Sequence, residues 1–469
     1  MKNVAIVLTL LFIVTVTHAN ETSKEELLAT GLPLVVIETI NGEIPTCDFV
    51  THPEGSMGEG ITNKTKVGGQ ILILQGSDTL YNSGAYEKGE SGMVVSLRGN
   101  TSAYVEKKPY KIKLQKKVDL LFRGEQYADK DWALIKDQLC FTNDNEMSLK
   151  PVIGFKVNEL FDLQWTPQGM YVNVIFNDDY RGIYYLVETV KCNNRCRLDV
   201  NKDNGYVIEY DPYWWNEEIF FDTNKTSNQL SFKYTFKEPD EDEINDEQIS
   251  YIKNYMNQVE ASIASGSYAD YIDVSSFINW ILAWELLGTD DGGGANVYLT
   301  KKDNTTSSKV MMANLWDFDG IMIRDGQWSA NHNILYYREL RNNESFNLAC
   351  KERWERVSGT ILPEINSFFD TYLLSLEAVS LDKARVYEQQ RWGSEYHTVA
   401  ENIDNARTWF TSRVEWINQK IGKTTGIYNN YNASGQNLSI YNLQGQHIEV
   451  PTKQIYIKNG RKYFSTGVR

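Results

Sequence analysis

The sequence is short of three things. Five cysteines in 469 residues are far too few for a scaffold built on disulfides. Positive charge is in deficit: 47 Lys+Arg against 62 Asp+Glu give a formal net charge of −15, the wrong sign for a generic nucleic-acid binder. Beyond the N-terminus, no apolar run has the ~20 residues that a bilayer-spanning helix needs. What is present is 42% hydrophobic and 12% aromatic residues, too much for a disordered chain and enough to bury a core. At roughly 150 residues per domain, the length predicts about three units.

The chain opens with Met1-Lys2-Asn3, runs apolar from Val4 to Val16, and continues Thr17-His18-Ala19. One positive charge, a short apolar core and a small residue read as a secretory signal peptide over residues 1–19. The mature protein is therefore expected to be exported, to the periplasm, the cell surface or the medium. In that setting Cys192 and Cys196, four residues apart, are either a local disulfide or two unpaired loop thiols. Cys47, Cys140 and Cys350 leave an odd count and no evident pairing scheme.

Strand patterns dominate the first half: Leu34-Val35-Val36-Ile37, the segment Gln70 to Gln75, and Met93 to Leu97. Tyr110, Ile112 and Leu114 alternate with Lys111 and Lys113, the pattern of a half-buried strand. Met147 to Leu160 reads as a helix opened near Pro151. Tyr171 to Phe176 and Arg181 to Val190 flank Asn177-Asp178-Asp179-Tyr180, a hairpin signal. Helical spacing then takes over, at Glu247 to Ala264, Val274 to Leu287, and two stretches between Asp382 and Ile421 broken near Gly393. The expected fold class is α+β: a strand-rich lobe over 20–190, a helix-rich lobe over 191–422, and a small β tail over 423–469.

Four stretches carry candidate chemistry. From Arg98 to Lys117 there are seven basic residues and one acid, a local charge of +6. A basic, Gly-containing turn suits a phosphate-rich anion; alternate lysines on an edge strand would also keep that edge from aggregating. Thr289-Asp290-Asp291 leads through three glycines to Asn296. An Asp and an Asn at this spacing also occur in protein-kinase catalytic loops, as base and metal ligand, and Mg²⁺ takes such oxygen donors. Asn314-Leu315-Trp316-Asp317-Phe318-Asp319-Gly320 places Asp317 at a strand end, like the metal-binding Asp-Phe-Gly of kinases. Arg181 to Glu188 ends a strand on a carboxylate. The acidic run Glu238 to Glu243 fits no phosphate site and reads as a solvated helix approach.

In their order and spacing these stretches resemble the CotH-like (spore-coat protein H) kinase family. The motifs are Arg98-Gly99-Asn100-Thr101, Lys107 to Lys113, Asp131-Trp132-Ala133-Leu134, Gly182 to Glu188, Glu285 to Asp291 and Trp316 to Asp319. The resemblance implies an atypical two-lobed protein-kinase-like fold. It also implies transfer of the ATP γ-phosphate to Ser/Thr of unidentified exported proteins with Mg²⁺ or Mn²⁺. By position it implies Asp291 as the catalytic Asp, with the Asp290–Asp291 doublet leaving one residue of play. Asn296 and Asp317 become metal ligands, assisted by Asp319. Arg98, Lys108, Lys111 and Lys113 face the phosphates, the family pattern favouring Lys108 and Lys113, and Glu188 lies at the inter-lobe hinge. One departure is Lys150 where the family often has Arg, a point charge in place of a fork. The tail is similar to C-terminal tails of exported Bacteroidetes proteins, which implies either a sorting module or a plain β cap. The rival reading is a surface adhesin or carbohydrate-binding protein using its 12 Trp and 28 Tyr as stacking platforms; a kinase-like scaffold without activity is a third.

Overall fold

The computed structural model describes residues 22–51, 60–136, 149–192, 196–227, 230–291, 296–393 and 397–421, and four tail strands. The expected signal peptide, Cys140, Met147 and residues 292–295 lie outside the described residues. The chain divides into two compact units, residues 1–422 and 423–469.

A short helix, α1 (Lys24–Ala29), is capped by Ser23 and followed by strand β1 (Leu34–Thr39). The chain leaves the sheet for a small hairpin, β2 (Asp48–Val50) with β3 (Gly60–Thr62), and then returns. Next come β4 (Val67–Gln75), β5 (Asp78–Asn82), β6 (Met93–Leu97), β7 (Tyr110–Val118) and β8 (Asp129–Lys136). Helix α2 (Lys150–Leu160) precedes the hairpin β9 (Gly169–Phe176) and β10 (Asp179–Glu188). Asn177 and Asp178 turn that hairpin at φ of 49° and 63°, the left-handed pair that a two-residue turn requires. The sheet order is β1-β9-β10-β8-β7-β6-β4-β5, and β1 also pairs with β4. The strand-rich N-terminal region is therefore a closed barrel, with β5 hanging off β4. Its interior is apolar: Val35, Ile37, Ile71, Val95, Ile112, Trp132, Val174 and Tyr184 are all buried in one cluster. Strand β7 sits between β6 and β8, so Lys111 and Lys113 do not guard an edge.

A second sheet follows, in a region expected to be helix-rich. Strands β11 (Tyr206–Tyr210), β12 (Phe220–Ser227), β13 (Leu230–Glu238), β14 (Val297–Lys301) and β15 (Val310–Met312) pair in the order β12-β13-β11-β14-β15. Between them run α3 (Asp246–Ser265) and α4 (Val274–Leu287). Helix α3 has a capping box from Asn245 and Gln248 and ends at Gly266 in the left-handed conformation. Helix α4 is buried nearly all round, as its composition predicted, and ends at Gly288 with φ of 59°. The short α5 (Tyr337–Leu340) leads into α6 (Glu344–Leu373), α7 (Leu376–Trp392) and α8 (Val399–Lys420). Helix α6, 30 residues long, was not expected from the sequence. The fold is thus mixed α+β, with a strand-rich N-terminal region and a helical C-terminal region. The 423–469 unit contains β16 (Ile440–Asn442), β17 (His447–Ile448), β18 (Ile455–Lys458) and β19 (Arg461–Phe464), which pair only with one another. Among the described residues no helix is long and apolar enough to cross a membrane.

Candidate active site

One cavity of about 400 Å³ collects most of the chemistry that the sequence singles out. Its walls are the turn Arg98-Gly99-Asn100-Thr101-Ser102, the end of β8, the start of α2, one face of the second sheet, Asp291, Asn296 and the loop over residues 316–319. Arg98, Asp291, Asn296, Asp317 and Asp319 all line it. Asp290 does not, although its backbone N–H is tied to the Gly320 carbonyl at 3.1 Å.

Local geometry explains why these residues converge. Asn296 Nδ2 donates to Asp317 Oδ2 at 3.1 Å. Both residues occupy the left-handed backbone region, with φ of 62° and 69°. Two non-glycine residues held there in contact are strain of the kind found at functional sites. The Asp319 N–H donates to Asp317 Oδ1 at 3.3 Å, and Lys150 Nζ donates to the Asp319 carbonyl at 2.5 Å, so α2 props the turn. Phe318 is anchored against α2: a Cβ on Gly154 would stand 2.1 Å from its ring. Gly320 lies beneath the acidic doublet, where a Cβ would meet Asp290 Oδ1 and Asp291 Cβ at 2.8 Å. Glycine at that position allows the 289–291 loop and the 316–320 turn to touch.

Charge sets the electrostatics. Burial raises the Asp317 carboxyl above its ordinary range and the nearby Asp291 adds to it, while Arg98 and Lys150 oppose. Burial lowers Arg98, whereas Tyr298, Asp317, Asp319 and Glu209 hold its charge in place. The guanidinium also lies over the Trp316 ring, 5.5 Å from its centroid. Among the described residues no three His, Cys, Asp or Glu side chains form a metal cage on their own. The donor set of Asp317, Asn296 and Asp291 nevertheless fits Mg²⁺, which binds through one or two carboxylates and completes its shell with water and phosphate oxygens. The contact to Asp317 uses the Asn296 amide nitrogen and leaves its oxygen for a cation.

The other expected site residues lie elsewhere. Lys108 Nζ donates to the Ala103 carbonyl at 2.6 Å and lies over the Phe49 ring. Lys111 and Lys113 project from the outer barrel wall, Lys111 3.5 Å from Asp131. None of the three lines the cavity. Glu188 does not line the cavity: it is 1% exposed and its carboxylate is fully engaged. Arg123 approaches it at 3.0 and 3.1 Å, Arg197 at 2.7 and 3.1 Å, and the Gln168 N–H at 3.0 Å. Cys192 and Cys196 are free thiols, and burial with the neighbouring Glu238 pushes the Cys192 thiol up to about 12.

Lys64, Lys136, Glu209, Asp211, Tyr213, Glu217 and Lys237 line the cavity without having been singled out. The available signal was two acids in an apolar strand, Tyr206-Val207-Ile208-Glu209-Tyr210-Asp211. Alternation puts Glu209 and Asp211 on one face. Asp211 accepts from the Tyr213 N–H at 2.7 Å and the Thr235 hydroxyl at 3.1 Å, and burial with the charge of Glu209 raises its carboxyl to about 7.

The family model described as CotH kinase protein matches residues 95–417, well over half of the chain. No curated protein matches it.

Proposed function

The chain belongs to the CotH kinase family, and from that premise we propose that it is an exported, metal-dependent protein kinase that moves the ATP γ-phosphate to Ser/Thr hydroxyls of exported proteins. The observation that carries this reading is the Asn296–Asp317 contact of 3.1 Å, between two residues held left-handed, in a cavity that Asp291 also lines. Phosphoryl transfer asks a protein mainly for positioning and charge neutralisation. Asp317 and Asn296 would hold a divalent cation there, which would supply positive charge to offset that developing on the transferred phosphate.

In this reading Asp317 and Asn296 hold the cation, and Asp319 supports Asp317 through its backbone. Asp291 orients the acceptor hydroxyl and takes its proton. Arg98, Lys136 and Lys237, with Lys64 at the rim, replace the exposed lysines of β7 as the phosphate-facing cations. The barrel region acts as the nucleotide-side lobe and the helical region as the lobe that carries the base. Export rests on the N-terminal pattern at residues 1–19, and surface sorting by the tail rests on its likeness to other exported tails.

Against the adhesin alternative, Trp132, Trp280, Trp284 and Trp354 are in the core, all under 2% exposed, while Trp214, Trp215, Trp328, Trp392, Trp409 and Trp416 are half-buried. The test is labelled ATP with Mg²⁺ or Mn²⁺, read as autophosphorylation and as transfer to co-exported proteins. Asp317→Ala is expected to lower transfer by at least about 100-fold, the scale on which preorganised charge at the transition state acts. Wild-type transfer by the folded variant would overturn the assignment.

A further inference from the structure

We propose that Glu209, a carboxylate outside every motif of the family resemblance, is the positioning residue that holds Asn296 in its metal-binding conformation. The inference rests on the kinase reading above.

Glu209 is 7% exposed and sits in β11, opposite Thr235 of β13 and Tyr298 of β14. Its oxygens are divided between two tasks. Oε1 accepts the backbone N–H of Asn296 at 3.0 Å. Oε2 pairs with Lys237 Nζ at 3.0 Å. Burial, and then the charge of Glu209, raise the neighbouring Tyr298 phenol well above its ordinary value. Lys237 is the extra residue of a β-bulge, since Val207 pairs with Glu238 and Ile208 with Phe236. A bulge of this kind re-aims a side chain near a site. The charges of Glu209, Glu217 and Asp211 outweigh the burial of Lys237 and raise its ammonium above the ordinary lysine range.

The consequence falls on Asn296. A non-glycine residue at φ of 62° persists only where its surroundings hold it. The Glu209 carboxylate grips the N–H of that residue, while the Asn296 side chain grips Asp317. Sheet, loop and metal-binding turn thus form one chain of contacts: Lys237, Glu209, Asn296, Asp317. Without the carboxylate, the Asn296 N–H loses its side-chain anchor, and only the pairing of Val297 with Tyr210 still ties this end of β14 to β11. Outer-shell contacts to ligands typically change metal affinity 10–100-fold.

The test is direct Mn²⁺ binding, followed by electron paramagnetic resonance with ADP present, so that no turnover is needed. Glu209→Ala is expected to weaken Mn²⁺ binding at least about tenfold. Glu209→Gln, which keeps an acceptor for the Asn296 N–H, is expected to recover most of that loss. Should the Ala variant fail to fold, Glu209→Asp takes its place; the shorter carboxylate retreats from Asn296 and is expected to weaken binding several-fold. Wild-type affinity in the Ala or Asp variant overturns the proposal, and so does a Gln variant no better than Ala. If the wild-type protein itself binds no Mn²⁺, the kinase reading has failed and this proposal fails with it. That result is distinct from a wild type that binds and a variant that binds equally well.

Discussion

Asp211 is a carboxyl that folding holds near neutrality. Its ordinary value of 3.8 rises to about 7, mainly through burial and then through the charge of Glu209. A carboxyl raised in the folded state binds its proton more tightly there than in the unfolded chain. Its contribution to stability is complete below the ordinary carboxyl range and is lost as the pH rises through about 7. Asp211→Asn removes the titration while keeping an acceptor for the Tyr213 N–H. Denaturant unfolding of both proteins at pH 5 and pH 8 should show a smaller loss of stability in the variant at the higher pH. An unchanged difference would mean that Asp211 does not titrate in this window. At this scale the sequence was readable only where polar residues interrupt loops. Asp291, Asn296 and Asp317 stand beside a Gly-rich stretch and in a loop five residues past the end of β15, which is shorter than the expected Met311 to Leu315 strand; such side chains have few structural duties there. Glu209 and Lys237 lie inside strands and Asp211 just past the end of one, where single charges look like solvated faces until the sheet pairing is known. Glu188 misled for the opposite reason. Its partners Arg123 and Arg197 come from separate segments, and no local pattern shows that the carboxylate is already engaged.

Elements explain the rest of the family-like motifs as architecture. Helix α7 lies along the barrel and fastens to β9 and β10. Glu377 accepts the Tyr171 N–H at 3.1 Å, Arg391 donates to the Tyr180 carbonyl at 3.0 Å, and the Trp392 indole donates to the Arg181 carbonyl at 3.1 Å. At the centre, Lys107 and Glu388 form an ion pair of 2.5 Å, their side chains 3% and 8% exposed. Glu388 also takes the Ile183 N–H at 2.6 Å. Gly182, at φ of 93°, has no room for a side chain, because a Cβ would stand 2.1 Å from the Glu388 carboxylate. Lys107 and Gly182 are therefore parts of a brace between barrel and helix, and neither is a phosphate contact. Glu388→Ala leaves a buried ammonium unpaired, and chemical denaturation should show a loss of about 3–5 kcal/mol. A loss below 1 kcal/mol would show that water reaches Lys107 and that the brace is not dry. Helices α3 and α4 and the β9–β10 hairpin were legible because period, cap and turn chemistry agree over each of them. Barrel closure was not, because it depends on β1 meeting β9 across more than 130 residues. Helix α6 was hidden by Gly359 and Pro363 within its length.

Across the whole molecule, the acidic balance of −15 conceals how differently one basic stretch is used. The seven cations between Arg98 and Lys117 do not form one pocket. Arg98 enters the cavity, Lys107 enters the brace, Lys108 ties its own turn, and Lys111, Lys113 and Lys116 face solvent on the barrel. The cations that line the cavity come instead from residues far apart in sequence: Lys64, Arg98, Lys136 and Lys237. Every described residue that lines the cavity falls between Lys64 and Asp319, and every strand that closes the barrel falls between Leu34 and Glu188. The strands β16 to β19 pair only among themselves, in a unit that begins after residue 422. A chain ending at Gly422 should therefore keep the barrel, the second sheet and the cavity. It is expected to unfold at the same denaturant midpoint as the full chain and to use ATP within about twofold of it, since independent segments contribute additively. Loss of the cooperative transition or of ATP use on truncation would show that the 423–469 segment completes the folded catalytic unit.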